Sequence, residues 1–251
     1  MSAALGNIRT IIKRELKSYF TSPIAYVFLV IFLFLTGFLT FMLGGFFELG
    51  QASLERPFFN WHPWLYLFLV PAIGMRLWSE ERRLGTLELL FTMPITPWQA
   101  ILGKFLASWI FLALTLVLTF PVVLTVNYLG DPDNGIIFAA YVGSFLMGGA
   151  YLALSCITSA MTRNQVVSFI ISVVLCFLLI LAGLAPVSIF ITDVLGAGVW
   201  LADMVAYFSV LTHFNGFGKG VLDSRSIIFF LSVIGFSLFT TGVILRNHRA
   251  G

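Results

Sequence analysis

Residues 78–104 read WSEERRLGTLELLFTMPITPWQAILGK, a charged stretch whose flanking runs stay uncharged over about the length that a bilayer requires. An acid-base cluster near its start precedes Leu84, Leu87 and Phe91, which recur at the spacing of one helical face. We therefore predict a short amphipathic helix beside a membrane, and the rest of the chain divides around it.

The end of that helix and the start of the next are both marked in the sequence. Pro94 lacks a backbone donor, so it should stop the first helix shortly before it. Residues 96–99, Thr-Pro-Trp-Gln, have the capping-box pattern with proline at the first helical position. The stretch therefore predicts a helix, a turn and a second helix at the membrane surface.

The composition excludes an ordinary soluble fold. Hydrophobic residues make up 59% of the 251 residues and charged residues only 10%, as is typical of a polytopic membrane protein. The two cysteines, Cys156 and Cys176, lie in apolar runs, where we expect packing rather than a disulfide. The N-terminus is charged and amphipathic, so no cleavable signal peptide is expected.

The first 21 residues predict an interfacial helix. Its cations, Arg9, Lys13, Arg14 and Lys17, lie opposite an apolar face, so the helix should lie along the headgroup layer with its cations towards anionic lipid. A merely solvated start of the first span is the alternative. Glu15 falls near the apolar face, which predicts a partner for it within the protein.

The apolar runs predict an all-α polytopic membrane protein with six transmembrane helices. The spans are placed at residues 23–46, 58–77, 97–127, 136–161, 166–185 and 227–246, with the surface helix at 79–95 between the second and third. Ser22 is the expected N-cap of the first span and Pro23 its first helical residue.

Aromatic residues predict where the second span meets the membrane interfaces, and a proline predicts a kink in the third span. Trp61, Trp64 and Tyr66 are expected at one membrane interface of the second span, and Trp78 at the other. Pro121 should kink the third span, either as a hinge or as a static bend.

Residues 186–226 form an outer segment that hydropathy leaves open. It could be a pair of half-helices dipping into the membrane or one helix on its surface. We favour a re-entrant dip followed by a surface helix.

Small residues on the fourth span predict close helix packing. Gly143, Gly148, Gly149 and Ala153 would let another backbone approach, either within the chain or across a dimer.

The distribution of cations predicts the orientation. In the six-span arrangement, 11 of the 14 Lys and Arg residues fall on the side that carries the charged stretch. Both termini and residues 78–104 are therefore expected in the cytoplasm.

The sequence lacks the motifs of several enzyme classes. There is no G-x-x-x-x-G-K-[ST] phosphate loop, so the chain is not expected to hydrolyse ATP by itself. No metal site is predicted: His62 has no second ligand at i+3 or i+4 and is interpreted as an interfacial hydrogen-bonding residue. Ser144 is expected to have no histidine at its depth, which disfavours a serine hydrolase. No span carries a central charge, so energy should arrive from outside the bilayer.

Three blocks of the sequence resemble one protein family. ERRLGTLELLFTMPITPWQAILGK at 81–104 resembles the loop between the first two membrane-inserting hairpins of ABC-2 type exporter permeases. KRELKSYFTSPIAYV at 13–27 and HFNGFGKGVLDSRSIIFF at 213–230 are similar to the terminal signatures of the gliding-motility-associated permease subfamily. The resemblance implies one transmembrane domain over 1–251, with an interfacial connecting helix, a coupling helix at 79–95 and re-entrant outer helices.

The resemblance also implies a function and partners. The chain would be the permease subunit of an exporter in the bacterial inner membrane, with no cofactor of its own. It would dimerise with a second copy or with a related permease and bind two ATPase subunits that hold ATP and Mg; no nucleic-acid partner is expected. The residues that would meet a groove on the ATPase are Glu80, Glu81, Arg82, Gly85, Thr86, Leu87 and Glu88.

Two other functions remain open. The chain could be a non-transporting membrane anchor that relays ATPase motion to a periplasmic partner, or a membrane-embedded enzyme that acts on lipids. If it is an exporter, the substrate route is expected between two protomers, along the first, second and fifth spans. The 27 phenylalanines would suit an amphipathic cargo, but helix packing explains them equally well.

Overall fold

The computed structural model describes residues 2–87, 95–194, 196 and 198–247. Helices account for the regular structure of this part of the chain, in which no strand is found. The helices are α1 (Ser2–Thr21), α2 (Pro23–Phe38), α3 (Phe46–Leu49), α4 (His62–Gly74), α5 (Arg76–Leu84), α6 (Pro97–Val117), α7 (Phe120–Leu129), α8 (Asn134–Met161), α9 (Gln165–Leu181), α10 (Ala185–Ile189), α11 (Val199–Tyr207), α12 (Val210–Gly218) and α13 (Ser224–Asn247).

Several helical stretches are long and apolar enough to cross a membrane. In the described residues these are Pro23–Glu48, Pro97–Leu129, Asn134–Met161 and Ser224–Asn247. A fifth is a pair, Gln165–Leu181 and Ala185–Val194, bent by 71° at the break between them. The expected all-helical membrane fold is therefore confirmed, whereas six spans stay a prediction.

The helix at the second predicted span is short. Helix α4 has 13 residues, which corresponds to a length of about 20 Å, less than the hydrocarbon core of a bilayer. The interfacial positions predicted for Tyr66 and Trp78 are wrong, because their exposed fractions are 0% and 1%. Both rings pack inside the bundle, which hydropathy alone could not distinguish from an interface.

Helix starts follow the local signals in the sequence. Ser22 caps α2 and accepts from the Ile24 amide, with Pro23 as the first helical residue. Thr96 and Gln99 form the predicted capping box of α6: the Thr96 hydroxyl accepts from the Gln99 amide, and the Gln99 side chain accepts from the Thr96 amide. The chain therefore re-enters the bundle at Thr96 with two orphan amides satisfied.

The third predicted span is interrupted between two helices next to Pro121, while a kink in its direction stays a prediction. Helix α6 ends at Val117 and α7 begins at Phe120, with Pro121 in its first turn. The Thr119 hydroxyl in the break bonds the Leu116 carbonyl at 2.6 Å and the Tyr141 hydroxyl at 2.8 Å. These bonds satisfy polar groups at the break, as a static bend requires.

Helix α8 is the centre of the bundle and contacts α4, α5, α6, α9, α12 and α13. Its small residues face neighbours in the same chain: Gly143 meets Phe217 of α12, while Gly148 and Gly149 meet Leu112 and Trp109 of α6. Ala153 is fully buried as well. Of the two alternatives for this face, the structure therefore shows packing within the chain.

The outer segment contains three short helices with different burial. Large apolar side chains of α11 are exposed, among them Val199, Trp200 and Met204. Helix α12 is instead packed against α8, and its His213 ring bonds the Tyr207 carbonyl at 2.9 Å and the Ser226 hydroxyl at 3.1 Å. The bend before Ala185 fits the interruption predicted there, while a re-entrant path through a membrane stays a prediction.

Candidate functional site

A buried lysine joins three helices at the charged end of the bundle. Lys104 lies in the third turn of α6, and its side chain is only 6% exposed. Its Nζ lies 2.9 Å from Glu81 Oε1 of α5 and 3.5 Å from Glu15 Oε1 of α1. A buried ammonium needs carboxylate partners of this kind, because removing its charge from water without them costs free energy. We call Glu15, Glu81 and Lys104 the ion junction.

The ion junction confirms the partner predicted for Glu15 on the apolar side of α1. The ammonium also stands 5.4 Å from the ring centre of the buried Trp78, a cation–π distance. Around it, Arg14 pairs with Glu15 at 3.0 Å, and Arg76 with Glu80 at 3.2 Å. The outer pairs are more exposed, and pairs of that kind contribute little to stability.

A serine of the central helix fixes the turn between α4 and α5. The Ser159 hydroxyl accepts from the amides of Trp78 at 2.9 Å and Ser79 at 3.0 Å, and donates to the Met75 carbonyl at 2.9 Å. The first amides of a helix lack partners within it, so this hydroxyl satisfies the orphan amide of Trp78 and adds a second partner for the amide of Ser79. The start of α5 is thereby tied to α8.

The second turn of α5 is also tied to α8. The Arg82 guanidinium donates to the carbonyl of Ala160. Partial burial and, to a lesser extent, the nearby charge of Arg163 lower the pKa of Arg82. Arginine stays charged at physiological pH even so, so two cations stand together at this edge of the bundle.

The end of α5 points away from these contacts. Gly85 closes the helix at φ +69°, a left-handed conformation that favours glycine. Just before it, Arg83 has a side chain 60% exposed and Leu84 is 62% exposed. Just after it, Leu87 is buried. Among the described residues of this region, the exposed end of α5, residues 83–86, is therefore the most accessible part.

The predicted ATPase-contact residues differ in burial. Leu87 is buried, Gly85 and Thr86 are exposed, and three are intermediate: Glu80, Glu81 and Arg82. Glu81 and Arg82 bond to α6 and α8, and Glu88 lies outside the described residues.

Sequence reasoning placed Leu84 and Leu87 on one face of a continuous helix. The glycine cap between them ends α5, and the two leucines differ in burial as a result. A glycine directly after a helix with basic residues in its last turn was the signal for this boundary.

The four cations predicted for the interfacial helix are exposed on α1: Arg9, Lys13, Arg14 and Lys17. The opposite side of α1 packs on α6, where Ile11 lies against Gly103 so closely that a Cβ there would lie 2.6 Å from Ile11 Cγ2. Helix α1 is therefore part of the bundle and presents its basic side outward.

The expectation that Ser144 has no histidine at its depth is wrong. His62 is buried rather than interfacial, and its Nδ1 lies 2.5 Å from the Ser144 hydroxyl oxygen. Hydropathy could not show this, because the contact joins residues 82 positions apart. Both residues are 0% exposed, and no carboxylate is found among the hydrogen-bond partners of His62 in the described residues. The pair is enclosed in this conformation and offers a substrate no access.

Metal-binding and thiol chemistry find no support in the described ranges. No group of three His, Cys, Asp or Glu side chains there could hold a metal ion. Cys156 and Cys176 are free and buried, as packing residues are.

Comparison with known proteins gives one assignment. No curated protein sequence matches the chain significantly. Residues 66–224, well over half of the chain, match the family model described as ABC-2 family transporter protein. The match includes the charged stretch, the central helix α8 and the bent pair of α9 and α10. The chain therefore belongs to the ABC-2 transporter family.

Proposed function

We propose that the chain is the permease subunit of an ATP-driven exporter in the bacterial inner membrane, with both termini in the cytoplasm. The single observation that carries this proposal is the exposed end of α5, next to the ion junction. An apolar side chain with a cation beside it, on a short helix tied to the bundle core, is suited to insertion into a groove on a soluble ATPase.

The ion junction would pass movement of α5 to the rest of the domain. A displacement of α5 acts on α6 through Lys104, on α1 through Glu15 and on α8 through Ser159. Because these contacts are buried or partly buried, the helices would move together rather than slide independently. ATP and Mg would be held by the partner, and this chain would need no cofactor.

Two copies of the chain would form the transport unit, with the substrate route between them. Supporting this, α2 is loosely packed, and Val30 and Phe34 on it are more than 60% exposed. Helix α9 carries exposed Val166, Ile170 and Val174 at four-residue spacing. The mass of the purified complex tests this: two permeases with two ATPase subunits are expected, and a single permease copy would contradict it.

The gliding-motility subfamily remains a proposal. The similar blocks at 13–27 and 213–230 support it, but the family match begins at residue 66 and ends at 224. It therefore contains none of the first block and only part of the second.

We expect Leu84→Glu to weaken association with the ATPase subunit at least tenfold, about 1.4 kcal/mol, because it buries a carboxylate in an apolar contact. The measurement is co-purification of the two subunits from membranes, followed by titration of the ATPase onto the permease. Val221→Glu is the matched control, since Val221 is 57% exposed in the outer segment. Equal binding by both variants would show that the exposed end of α5 is not the contact.

The exposed apolar side chains of α11 favour a second function. A periplasmic protein could bind Trp200 and Met204 and receive the motion of the domain, which would make the chain a non-transporting anchor. ATP hydrolysis by the reconstituted complex separates the two functions. Stimulation by a transported solute supports the exporter, and stimulation by a periplasmic protein alone supports the anchor.

A further inference from the structure

The ion junction borders a cavity of about 710 Å³ between α1, α2, α4, α5 and α6. Its volume lies within the range of small-molecule sites in proteins. One end is polar and the other is apolar, with lining residues from α2 and α4 such as Val27, Ile31, Leu69 and Ile73. A ligand that fills both ends must be an amphiphile.

The mouth of the cavity runs along α2. Ile24, Val27 and Ile31 line the cavity and are 54%, 55% and 42% exposed, so the cavity is open on the side of α2. These residues extend over about 10 Å of helix, so the cavity would accept the first part of an acyl chain from the side. The remainder of the chain would stay in the bilayer.

The polar end has no excess of either charge. Its charged side chains are three cations, Arg14, Arg76 and Lys104, and three carboxylates, Glu15, Glu80 and Glu81. A purely anionic head group would therefore meet as many repelling groups as attracting ones. A zwitterionic head group is complementary to such a lining.

Unused hydrogen-bonding groups indicate which zwitterion fits. Each guanidinium has five N–H donors, and the bonds of Arg14 and Arg76 to their glutamates leave several free for a phosphate. Glu81 Oε2 is buried and has no hydrogen-bond partner within the described chain. A primary ammonium can donate hydrogen bonds to a carboxylate oxygen, and a quaternary one cannot.

We propose that this cavity binds one phospholipid-like amphiphile whose head group carries a phosphate and a primary amine. The amphiphile enters sideways past α2 and places its phosphate on Arg14 and Arg76 and its ammonium at Glu81. The proposal rests on the proposed function only in placing this end of the bundle at the headgroup level of the membrane. The same site would serve a resident bilayer lipid or a transported cargo of this chemistry.

The test is photolabelling of the full-length chain in nanodiscs with a phosphatidylethanolamine whose acyl chain carries a diazirine near the glycerol. We expect saturable labelling with one lipid per chain, located by mass spectrometry on α2 and α4 around Val27 and Ile73. Unlabelled phosphatidylethanolamine should compete at least about tenfold better than phosphatidylcholine. Equal competition by the two lipids, or full competition by inorganic phosphate, would overturn the proposal.

Matched variants separate the cavity from the lipid surface. Ala72→Trp fills the cavity and should abolish saturable labelling, whereas Val117→Trp, on an exposed position of α6 outside the lining, should leave it unchanged. Arg14→Gln should weaken labelling, and Arg9→Gln on the same helix should not. Labelling that is unchanged in Ala72→Trp would overturn the proposal. Loss of labelling when two chains associate over α2 would overturn it as well.

Turnover with the ATPase subunit distinguishes the two sources. A label that persists during ATP hydrolysis identifies a resident lipid, and one that is chased out identifies a cargo; both support the site. ATPase co-purification is measured on the same samples. If ATPase co-purification is lost and labelling is intact, only the proposed function is contradicted. If labelling is lost and co-purification is intact, only the cavity proposal is contradicted.

Discussion

Lys104→Met is expected to lower the free energy of unfolding of the membrane domain by about 3 kcal/mol. Methionine keeps most of the length of the side chain but removes its charge, so Glu81 would lose the cation it pairs with and Glu15 would keep only its more exposed pair with Arg14. The side chains of Glu15 and Glu81 are only 18% and 20% exposed, which limits the help that water can give. The thermal unfolding of the purified chain in a fixed detergent measures the change.

Two controls show whether the ion junction is responsible. Lys13→Met removes an exposed lysine of α1 that forms no ion pair within the described residues, and should change stability little. Lys104→Met combined with Glu81→Gln also removes the carboxylate that Lys104→Met leaves without its cation, so it should recover part of the loss. If the two substitutions instead add their separate costs, the ion pair between α5 and α6 makes no contribution.

The parts of the fold that sequence reasoning predicted are governed by local chemistry. Ser22 and the capping box at Thr96 act through amides within three residues, and Pro121 acts on its own helical turn. The small residues of α8 were also identifiable, because only close packing explains several glycines in one span. The position of Glu15 on the apolar side of α1 predicts that it has a partner, but it does not predict that the partner is Lys104.

The features that sequence reasoning missed depend on contacts between distant parts of the chain. The His62–Ser144 hydrogen bond and the inward position of Glu81 both need the docking of α4 and α5 on the rest of the bundle. Burial of Tyr66 has the same origin, because the sequence pattern of a tyrosine near the end of a span fits a buried ring and an interface anchor equally well. The exposed end of α5 could be predicted only by identifying Gly85 as the end of the helix.

Helices α4 and α8 approach closely at a position that the sequence did not single out. Gly74, the last residue of α4, faces Ser155 of α8, and a Cβ on Gly74 would overlap the Cβ of Ser155. Ser155 is fully buried, and its hydroxyl bonds the Tyr151 carbonyl at 2.9 Å. Because a Cβ is fixed to the backbone, relief of the overlap requires a helix to shift rather than a side chain to rotate.

Gly74→Ala should therefore destabilise the domain by about 2 kcal/mol through overpacking. Gly235→Ala is the matched control: nothing lies within 4 Å of its added methyl, so the better helix former should be neutral or stabilising by about 0.5 kcal/mol. Adding Ser155→Gly to Gly74→Ala removes the opposing Cβ. Part of the lost stability should return, even though a glycine within α8 itself lowers helix stability. Thermal unfolding of the four proteins in one detergent gives the comparison. Equal stability of the two single variants would mean that α4 and α8 do not meet at Gly74, and the turn that carries α5 and the ion junction would then lack this support.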